Sequence, residues 1–343
     1  MNKIDSFDSL QYARYGNPEE VLELKVSSLS DCEEGEVIIR MELATIHPSD
    51  VGLIQGSYGT LRDLPAIGGR EGVGLVYQVG KSVDENLLGR PVCLPDAQGC
   101  WQEFIKIKAD QLIFLPSLVP LNQLAVSVLN PLTAWRLLND FEYLKPGDFV
   151  VQNAGNSAVG IAVAQFAKKM GIECFSLVRS EAMRRKLGSF LGSKVLIDQD
   201  CSVEEIIDLT KGRGCALALN SIGGRSSLRL AKCLSDGAVH VTFGAMDGAL
   251  IRFPTRALIF KDIRFVGFWL DRWKKSRNKE DIKKSIDEVL EPLALTEVSY
   301  PIDSIFQLND FKNALIRNSQ SRFGKVLLCR DQKMIKKFTD LSD

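Results

Sequence analysis

Histidine is the scarcest reactive side chain in this sequence: among 343 residues there are two, His47 and His240. Zinc takes three or four nitrogen, sulfur or oxygen ligands converging within bonding distance, and two distant histidines make such a set hard to assemble. Cysteine does not fill the gap. Cys32, Cys93, Cys100, Cys174, Cys201, Cys215, Cys233 and Cys329 include no Cys-x-x-Cys pair, so they read as free thiols of a reducing compartment. Net charge is absent as well. The 43 basic side chains balance 43 acidic ones, which excludes a broad electrostatic grip on nucleic acid. No long uncharged apolar run occurs, so no membrane span is expected. The opening residues, MNKIDSFDSLQYARYG, carry early acids and no apolar core. They resemble neither a secretory signal nor an organellar presequence. Cytoplasmic residence is the expectation for the chain as given, or the mitochondrial matrix for a processed eukaryotic protein.

What is present is the composition of an ordinary globular protein, 45% apolar and 25% charged, with length for about two domains. The first part is rich in short β-branched runs punctuated by Gly, Pro, Asp and Asn: Glu36 to Ala44, Gly74 to Val79, Pro91 to Leu94 and Trp101 to Ile107. Such runs predict a compact all-β domain, barrel-like. After Pro120 the texture changes. A helix is predicted over Gln123 to Asn139, and then strands alternate with helices. The predicted strands are Phe149 to Gln152, Glu173 to Val178, Lys194 to Asp198, Ala216 to Asn220 and Ala238 to Phe243. That alternation predicts a doubly wound parallel sheet. Ile263 to Leu270 reads as a further strand and Lys279 to Leu290 as an amphipathic helix; short strands then return around a helix at Phe306 to Asn318. The α/β part is therefore expected as an insert at 123–272, with 1–122 and 273–343 forming the other domain. A cleft between the two is the expected ligand site.

Strand and helix of the first βα unit are joined by Asn153-Ala154-Gly155-Asn156-Ser157-Ala158-Val159-Gly160. This is a GxGxxG fingerprint with Ser157 at the middle glycine. Gly155 suits the tight turn and Gly160 the close helix–strand packing. Small Ser157 and Ala158 leave room for a diphosphate at the helix N-terminus. The context of strand, turn and long helix is the one the fingerprint requires. The second strand ends at Val178-Arg179-Ser180, where an NAD-preferring site would place an acid for the ribose. Arg179 is suited to a phosphate dianion, so NADPH is the expected cofactor. The alternative is that Arg179 is a solvated charge and Glu181 takes the ribose.

Chains of this layout resemble the medium-chain dehydrogenase/reductase superfamily. The resemblance implies an α/β plus β fold: a GroES-like β-barrel catalytic domain with an inserted Rossmann domain. Zinc-dependent members carry a histidine in a Gly-His-Glu motif. Here the motif reads Gly69-Arg70-Glu71, and no metal is expected. Hydride transfer then needs another proton source. The candidate is Tyr58, in Gln55-Gly56-Ser57-Tyr58-Gly59, expected near the nicotinamide; its alternative role is a packed aromatic at a loop edge. His47 is expected as a hydrogen-bonded loop residue and His240 as a core residue.

The strings IHPSDVGLIQGSYG, LPAIGGREGVG, LNPLTAWRLL, LKPGDFVVQNAGNSAVG, LNSIGG and LIFKDIRFVGFWLDRWKK sharpen the resemblance. They are similar to the mitochondrial trans-2-enoyl-CoA (2-enoyl thioester) reductases over about Tyr12 to Leu328. The resemblance implies hydride addition to the β-carbon of a trans-2-enoyl thioester, with protonation of the α-carbon by Tyr58. It also implies cofactor contacts at Asn130, Asn156, Ser157, Ala158, Val159, Arg179, Ser180, Glu181, Phe243, Gly244, Ala245, Met246, Phe268, Trp269, Leu270 and Lys325. The acyl carrier is CoA or acyl-carrier protein, and members are usually homodimers. Where the family has Arg, Asp and Arg after the second strand, this chain has Arg179-Ser180-Glu181, one positive charge fewer. Trp269 and Trp273 line an acyl channel, or else pack in the core or a dimer interface. The basic residues Arg272, Lys274, Lys275, Arg277 and Lys279 meet an acidic carrier or CoA phosphates, or else form a solvated helix start. Two further functions stay open: an NADPH:quinone oxidoreductase of the same superfamily, and a catalytically silent NADPH-binding protein.

Overall fold

The computed structural model describes residues 4–94, 99–246, 248, 250–251, 253–333 and 335. The chain forms two compact units, Met1–Leu129 with Leu290–Asp343, and Asn130–Val289.

Eight strands open the first unit: β1 (Phe7–Tyr12), β2 (Glu23–Ser27), β3 (Glu36–Thr45), β4 (Ala66–Ile67), β5 (Gly72–Val79), β6 (Pro91–Cys93), β7 (Phe104–Lys108) and β8 (Ile113–Phe114). The second unit carries β9 (Phe149–Gln152), β10 (Glu173–Val178), β11 (Val195–Ile197), β12 (Cys215–Asn220), β13 (Leu234–Thr242) and β14 (Arg264–Gly267). The chain returns to the first unit with β15 (Ile302–Gln307) and β16 (Lys325–Cys329).

In the first unit the long strand β3 is the organiser. Its sequence EVIIRMELAT is rich in residues that fit a pleated, half-buried surface, and most of it is buried. It pairs antiparallel with β5, β7 and β16. The last pairing, with Leu327 opposite Thr45 and Leu328 opposite Ala44, ties the C-terminal segment to the N-terminal sheet. Leu10, Val37, Ile39, Ile46, Trp101, Val326 and Leu328 share one core. The Trp101 indole N–H, fully buried, donates to the Thr45 carbonyl at 3.1 Å, so the largest side chain of that core carries no unsatisfied polar atom.

The second unit is one parallel sheet in the order β11-β10-β9-β12-β13-β14. Its central strands are buried and continuously apolar, as a sheet covered on both faces requires: Val150, Val151, Phe175, Leu217 and Leu219 have almost no exposed surface. From β9 the chain adds strands first on one side and then, from β12, on the other. The crevice at the carboxyl ends of β9 and β12 is thus the topological switch point, where such sheets hold ligands. The α/β plus β class expected from the sequence is borne out.

One sequence-based expectation is corrected. The single helix read over Gln123 to Asn139 is two helices, Leu121–Leu124 and Leu129–Asn139. The cause is tertiary. The buried carboxylate of Glu71 accepts hydrogen bonds from the N–H groups of Val128 and Leu129 at 2.8 and 2.7 Å. It satisfies donors that a helix start leaves orphaned and complements the positive end of the helix dipole. No helix among the described residues is long and apolar enough to cross a membrane.

Candidate active site

In the first unit the reactive side chains gather around the helix Pro48–Gln55. Its start is fixed by Asp50, whose Oδ2 accepts the His47 N–H at 2.7 Å, with Pro48 at the first helical position, where its missing N–H costs nothing. Its end is Gly56, left-handed at φ 76°, followed by the Ser57 N–H donating to the Gly52 carbonyl at 2.9 Å. This turn folds Tyr58 back against the helix. A Cβ on Gly52 would stand 3.0 Å from the Tyr58 Cβ, so a larger residue at 52 would press on the tyrosine. The phenol oxygen of Tyr58 accepts a hydrogen bond from Arg70 Nη1 at 3.1 Å. The same guanidinium carbon lies 5.3 Å from the ring centroid. Tyr58 is half-buried and Arg70 is only 5% exposed.

Behind this pair runs a buried chain of polar groups. Lys325 Nζ lies 2.9 Å from His47 Nδ1 and 3.4 Å from the Ile46 carbonyl oxygen. His47 Nε2 lies 2.8 Å from Glu71 Oε2, and Glu71 Oε1 caps the helix at Leu129. With a lysine ammonium donating to Nδ1, the imidazole proton sits on Nε2 and is donated to the carboxylate. Burial pushes the Lys325 ammonium below its ordinary value, with the Arg322 charge adding to the fall. Burial likewise raises the Asp50 carboxyl to about 7, against the opposing His47 N–H bond and the Arg70 charge. Asp50 Oδ1 is buried without a hydrogen-bond partner, which fits a carboxyl that holds its proton more readily than usual.

In the second unit the turn Asn153 to Gly160 follows β9. A Cβ on Gly155 would lie 2.6 Å from the Ser176 Cβ of β10, and one on Gly160 would lie 2.8 Å from the Ala154 carbonyl oxygen. Neither position takes a larger residue without displacing the turn. Ser157 caps the helix Ala158–Lys169, its Oγ accepting the Gly160 N–H at 3.0 Å. Its hydroxyl proton stays available for an anion, together with the first-turn N–H groups of Ala158 and Val159.

The switch point is stapled by buried amides. Asn153 Nδ2 donates to Asn220 Oδ1 at 2.7 Å and to Ser226 Oγ at 2.9 Å, and Asn153 Oδ1 accepts the Ser221 N–H at 2.8 Å. Asn220 and Ser221 in turn hold the loop after β13, accepting the N–H groups of Phe243 and Met246 at 2.9 and 3.0 Å. Phe268 N–H bonds the Thr242 carbonyl at 2.9 Å. The structure therefore places Gly155 to Gly160, Arg179 to Glu181, Phe243 to Met246 and Phe268 to Leu270 all on the carboxyl edge of one sheet. Asn130 lies in the first turn of the helix Leu129–Asn139. Tyr58 and Lys325 belong to the first unit, where the Lys325 amine is already engaged by His47.

Arg179 directly follows β10 and is exposed. Ser180 caps the next helix, accepting the Met183 N–H at 3.3 Å. Glu181 is clamped by Arg184 through two bonds of 2.6 and 2.7 Å, with Arg185 at 3.6 Å. These bonds hold its carboxyl below the usual range. The Glu181 carboxylate is thus paired within its own helix.

His240 is a core residue, its Nε2 3.2 Å from Ser227 Oγ, and burial lowers its pKa to about 4. Trp273 is buried in the second unit, with the Arg136 guanidinium 5.4 Å and that of Arg277 5.9 Å from its ring. Arg272, Lys274 and Lys275 sit in the last turn of the helix Leu270–Lys275, where cations complement the dipole. The sequence alone did not reveal Glu71, Asn153 or Asn220 as organisers. Each acts across a long sequence separation, and no local spacing marks it.

Comparison with known proteins places this architecture. Residues 33–117 match the family described as alcohol dehydrogenase GroES-like domain, and 158–291 match zinc-binding dehydrogenase. A GroES-like unit interrupted by a dinucleotide-type parallel sheet defines a medium-chain dehydrogenase/reductase. The zinc in the second description does not fit the residues present: among the described residues no group of three or more His, Cys, Asp or Glu is disposed to hold a metal ion. A Xenopus tropicalis protein named enoyl-(acyl-carrier-protein) reductase, mitochondrial, is 37% identical over 325 residues, covering 92% of each chain. The Homo sapiens protein of the same name is 37% identical, covering 90% of this chain and 84% of its own. Among solved structures, Etr1p in complex with NADP and crotonyl-CoA superposes with a TM-score of 0.85 at 25% identity, covering 94% of this chain and 99% of that one. A Bacillus thuringiensis protein described as an NADPH:quinone reductase superposes with a TM-score of 0.85 at 27% identity, covering 95% and 99%. The chain belongs to the mitochondrial-type enoyl thioester reductase family, as its motif strings led one to expect.

Proposed function

We propose that the chain reduces the C2–C3 double bond of trans-2-enoyl thioesters, carried on CoA or acyl-carrier protein, with NADPH. The observation that carries this reading is the 37% identity sustained over 92% of the chain with a named enoyl reductase. The residues fit the cofactor: Gly155 and Gly160 leave a turn that side chains would fill. The helix start at Ser157 to Val159 is suited to the diphosphate, and exposed Arg179 to the 2′-phosphate, with Ser180 beside it. The loops Phe243 to Met246 and Phe268 to Leu270 complete the carboxyl edge, and Asn130 supplies an amide. When bound, NADPH supplies the hydride that adds to the β-carbon. The chain's own part is the proton. The Tyr58 O–H bond breaks, the proton forms the new C–H bond at the α-carbon on the enolate electron pair, and solvent restores the phenol. His47, Glu71 and Lys325 hold the wall on which Tyr58 and Arg70 stand.

The test is turnover. NADPH oxidation with crotonyl-CoA, giving butyryl-CoA, is the expected result. A quinone reductase is the second reading, favoured by the likeness to the Bacillus thuringiensis protein. NADPH oxidation by a quinone alone supports that reading, and tight NADPH binding with neither reaction supports a silent nucleotide-binding protein. For the cofactor, Arg179→Ala is expected to raise the KM for NADPH by roughly tenfold or more, the scale of a charge-assisted bond, and to leave that for NADH nearly unchanged. Equal losses for both cofactors would remove Arg179 from the phosphate site.

The same proposal extends to assembly and compartment. β14 is an edge strand of the parallel sheet. Leu258, Ile259, Phe260 and Val266, on and just before it, are exposed. An edge strand beside exposed apolar residues suits pairing with a second copy of the chain. The sequence offers Arg252 to Gly267 as the segment that pairs edge to edge across a two-fold axis; Arg252 itself lies outside the described residues. Sedimentation at the mass of two chains supports the homodimer; the mass of one chain contradicts it. The compartment is the cytoplasm or the mitochondrial matrix, the latter carried by the names of the relatives.

A further inference from the structure

We propose that Arg70 is the positioning residue for the proton transfer: it fixes the Tyr58 hydroxyl and stabilises the phenolate oxygen left when the proton departs. The proposal rests on Tyr58 as the proton donor. Four observations carry it. The Arg70 Nη1 donates to the Tyr58 oxygen at 3.1 Å. Its guanidinium also lies over the ring, 5.3 Å from the centroid, so both orientation and distance are set. Arg70 is 5% exposed, and in a low-dielectric setting a charge-assisted bond gains strength. Its backbone is anchored by the next residue, since Glu71 is bonded to His47, Val128 and Leu129.

The chemistry follows from what a guanidinium is. Arginine does not give up its proton in proteins, so Arg70 cannot replace Tyr58 as acid. It presents a fixed positive donor to an oxygen that is neutral before the transfer and negative after it. An interaction that strengthens as charge develops lowers the barrier rather than tightening substrate binding. No atom is exchanged with Arg70: the proton leaves Tyr58 for the α-carbon, and water returns one to the phenolate.

A double-mutant cycle tests this. kcat with NADPH and crotonyl-CoA is measured for wild type, Tyr58→Phe, Arg70→Ala and the double variant, with the NADPH dissociation constant read by cofactor fluorescence. Arg70→Ala is expected to lower kcat roughly 10²-fold, the loss seen when one preorganised donor is removed, with NADPH affinity unchanged. In the Tyr58→Phe background the same change adds little, because its object is gone. Guanidinium ion added to Arg70→Ala restores part of the rate, whereas sodium chloride at the same ionic strength does not. Should Arg70→Ala fail to fold, Arg70→Lys takes its place in the cycle: it keeps the charge, loses the fork, and falls between alanine and wild type. An equal loss in both backgrounds, or no rescue by guanidinium, overturns the role of Arg70 while leaving Tyr58 as donor. Full turnover by Tyr58→Phe overturns the Tyr58 reading itself, and this proposal with it.

Discussion

Tyr58→Phe lowers kcat for crotonyl-CoA roughly 10²- to 10⁴-fold, the contribution of a positioned general acid, and leaves NADPH binding intact. The substitution removes one oxygen atom and keeps the ring. The packing of Tyr58 against Gly52 therefore survives, as does the contact of Arg70 with the ring face. What is lost is the transferable proton. The loss falls on kcat rather than KM because the phenol acts on the reacting carbon and not on the acyl carrier. Stopped-flow fluorescence for NADPH binding and steady-state rates for turnover separate the two quantities. A Tyr58→Phe variant that turns over crotonyl-CoA at the wild-type rate would make Tyr58 a packed aromatic and nothing more.

Glu71→Ala is expected to destabilise the fold by roughly 3–5 kcal/mol, since each buried donor that loses its acceptor costs about 1–3 kcal/mol. Three buried donors depend on this carboxylate: the N–H groups of Val128 and Leu129 and the His47 ring. Alanine takes this acceptor from all three away from water, and each loss carries a desolvation cost. It also leaves the buried Lys325 ammonium without the carboxylate charge that favours it. Glu71→Gln keeps one acceptor and most of the volume, so its loss is smaller. Denaturant unfolding of the two variants beside wild type measures both. A loss below about 1 kcal/mol for alanine, the range of an exposed pair, would show that the network is not a structural support.

Much of this architecture was legible locally. Continuous apolar strands between helices announce a parallel sheet, and Gly155 and Gly160 frame a tight strand-to-helix turn, because both signals are written in consecutive residues. The place of Arg179 directly after the second strand was legible for the same reason. The helix break near Ser127 was not. Periodicity across Leu124, Val128 and Leu132 is continuous, and the interruption comes from Glu71, more than fifty residues earlier. The pairing of Glu181 with Arg184 follows helical spacing and was readable in principle. The pairing of Tyr58 with Arg70 lay beyond reach: Gly-Arg-Glu announced that a metal ligand had been replaced, but not what the arginine touches. The amide staple of Asn153 with Asn220 joins two strands 67 residues apart, a contact that only the sheet order supplies.

The origin of two hydrogens in the product distinguishes the mechanism. Crotonyl-CoA is reduced with unlabelled NADPH in deuterium oxide, and the butyryl-CoA is examined by mass spectrometry and NMR. The predicted product carries one deuteron at the α-carbon, delivered through the exchangeable hydroxyl of Tyr58, and only protium at the β-carbon, delivered as hydride. Deuterium at the β-carbon, or no butyryl-CoA while a quinone consumes the NADPH, would contradict it.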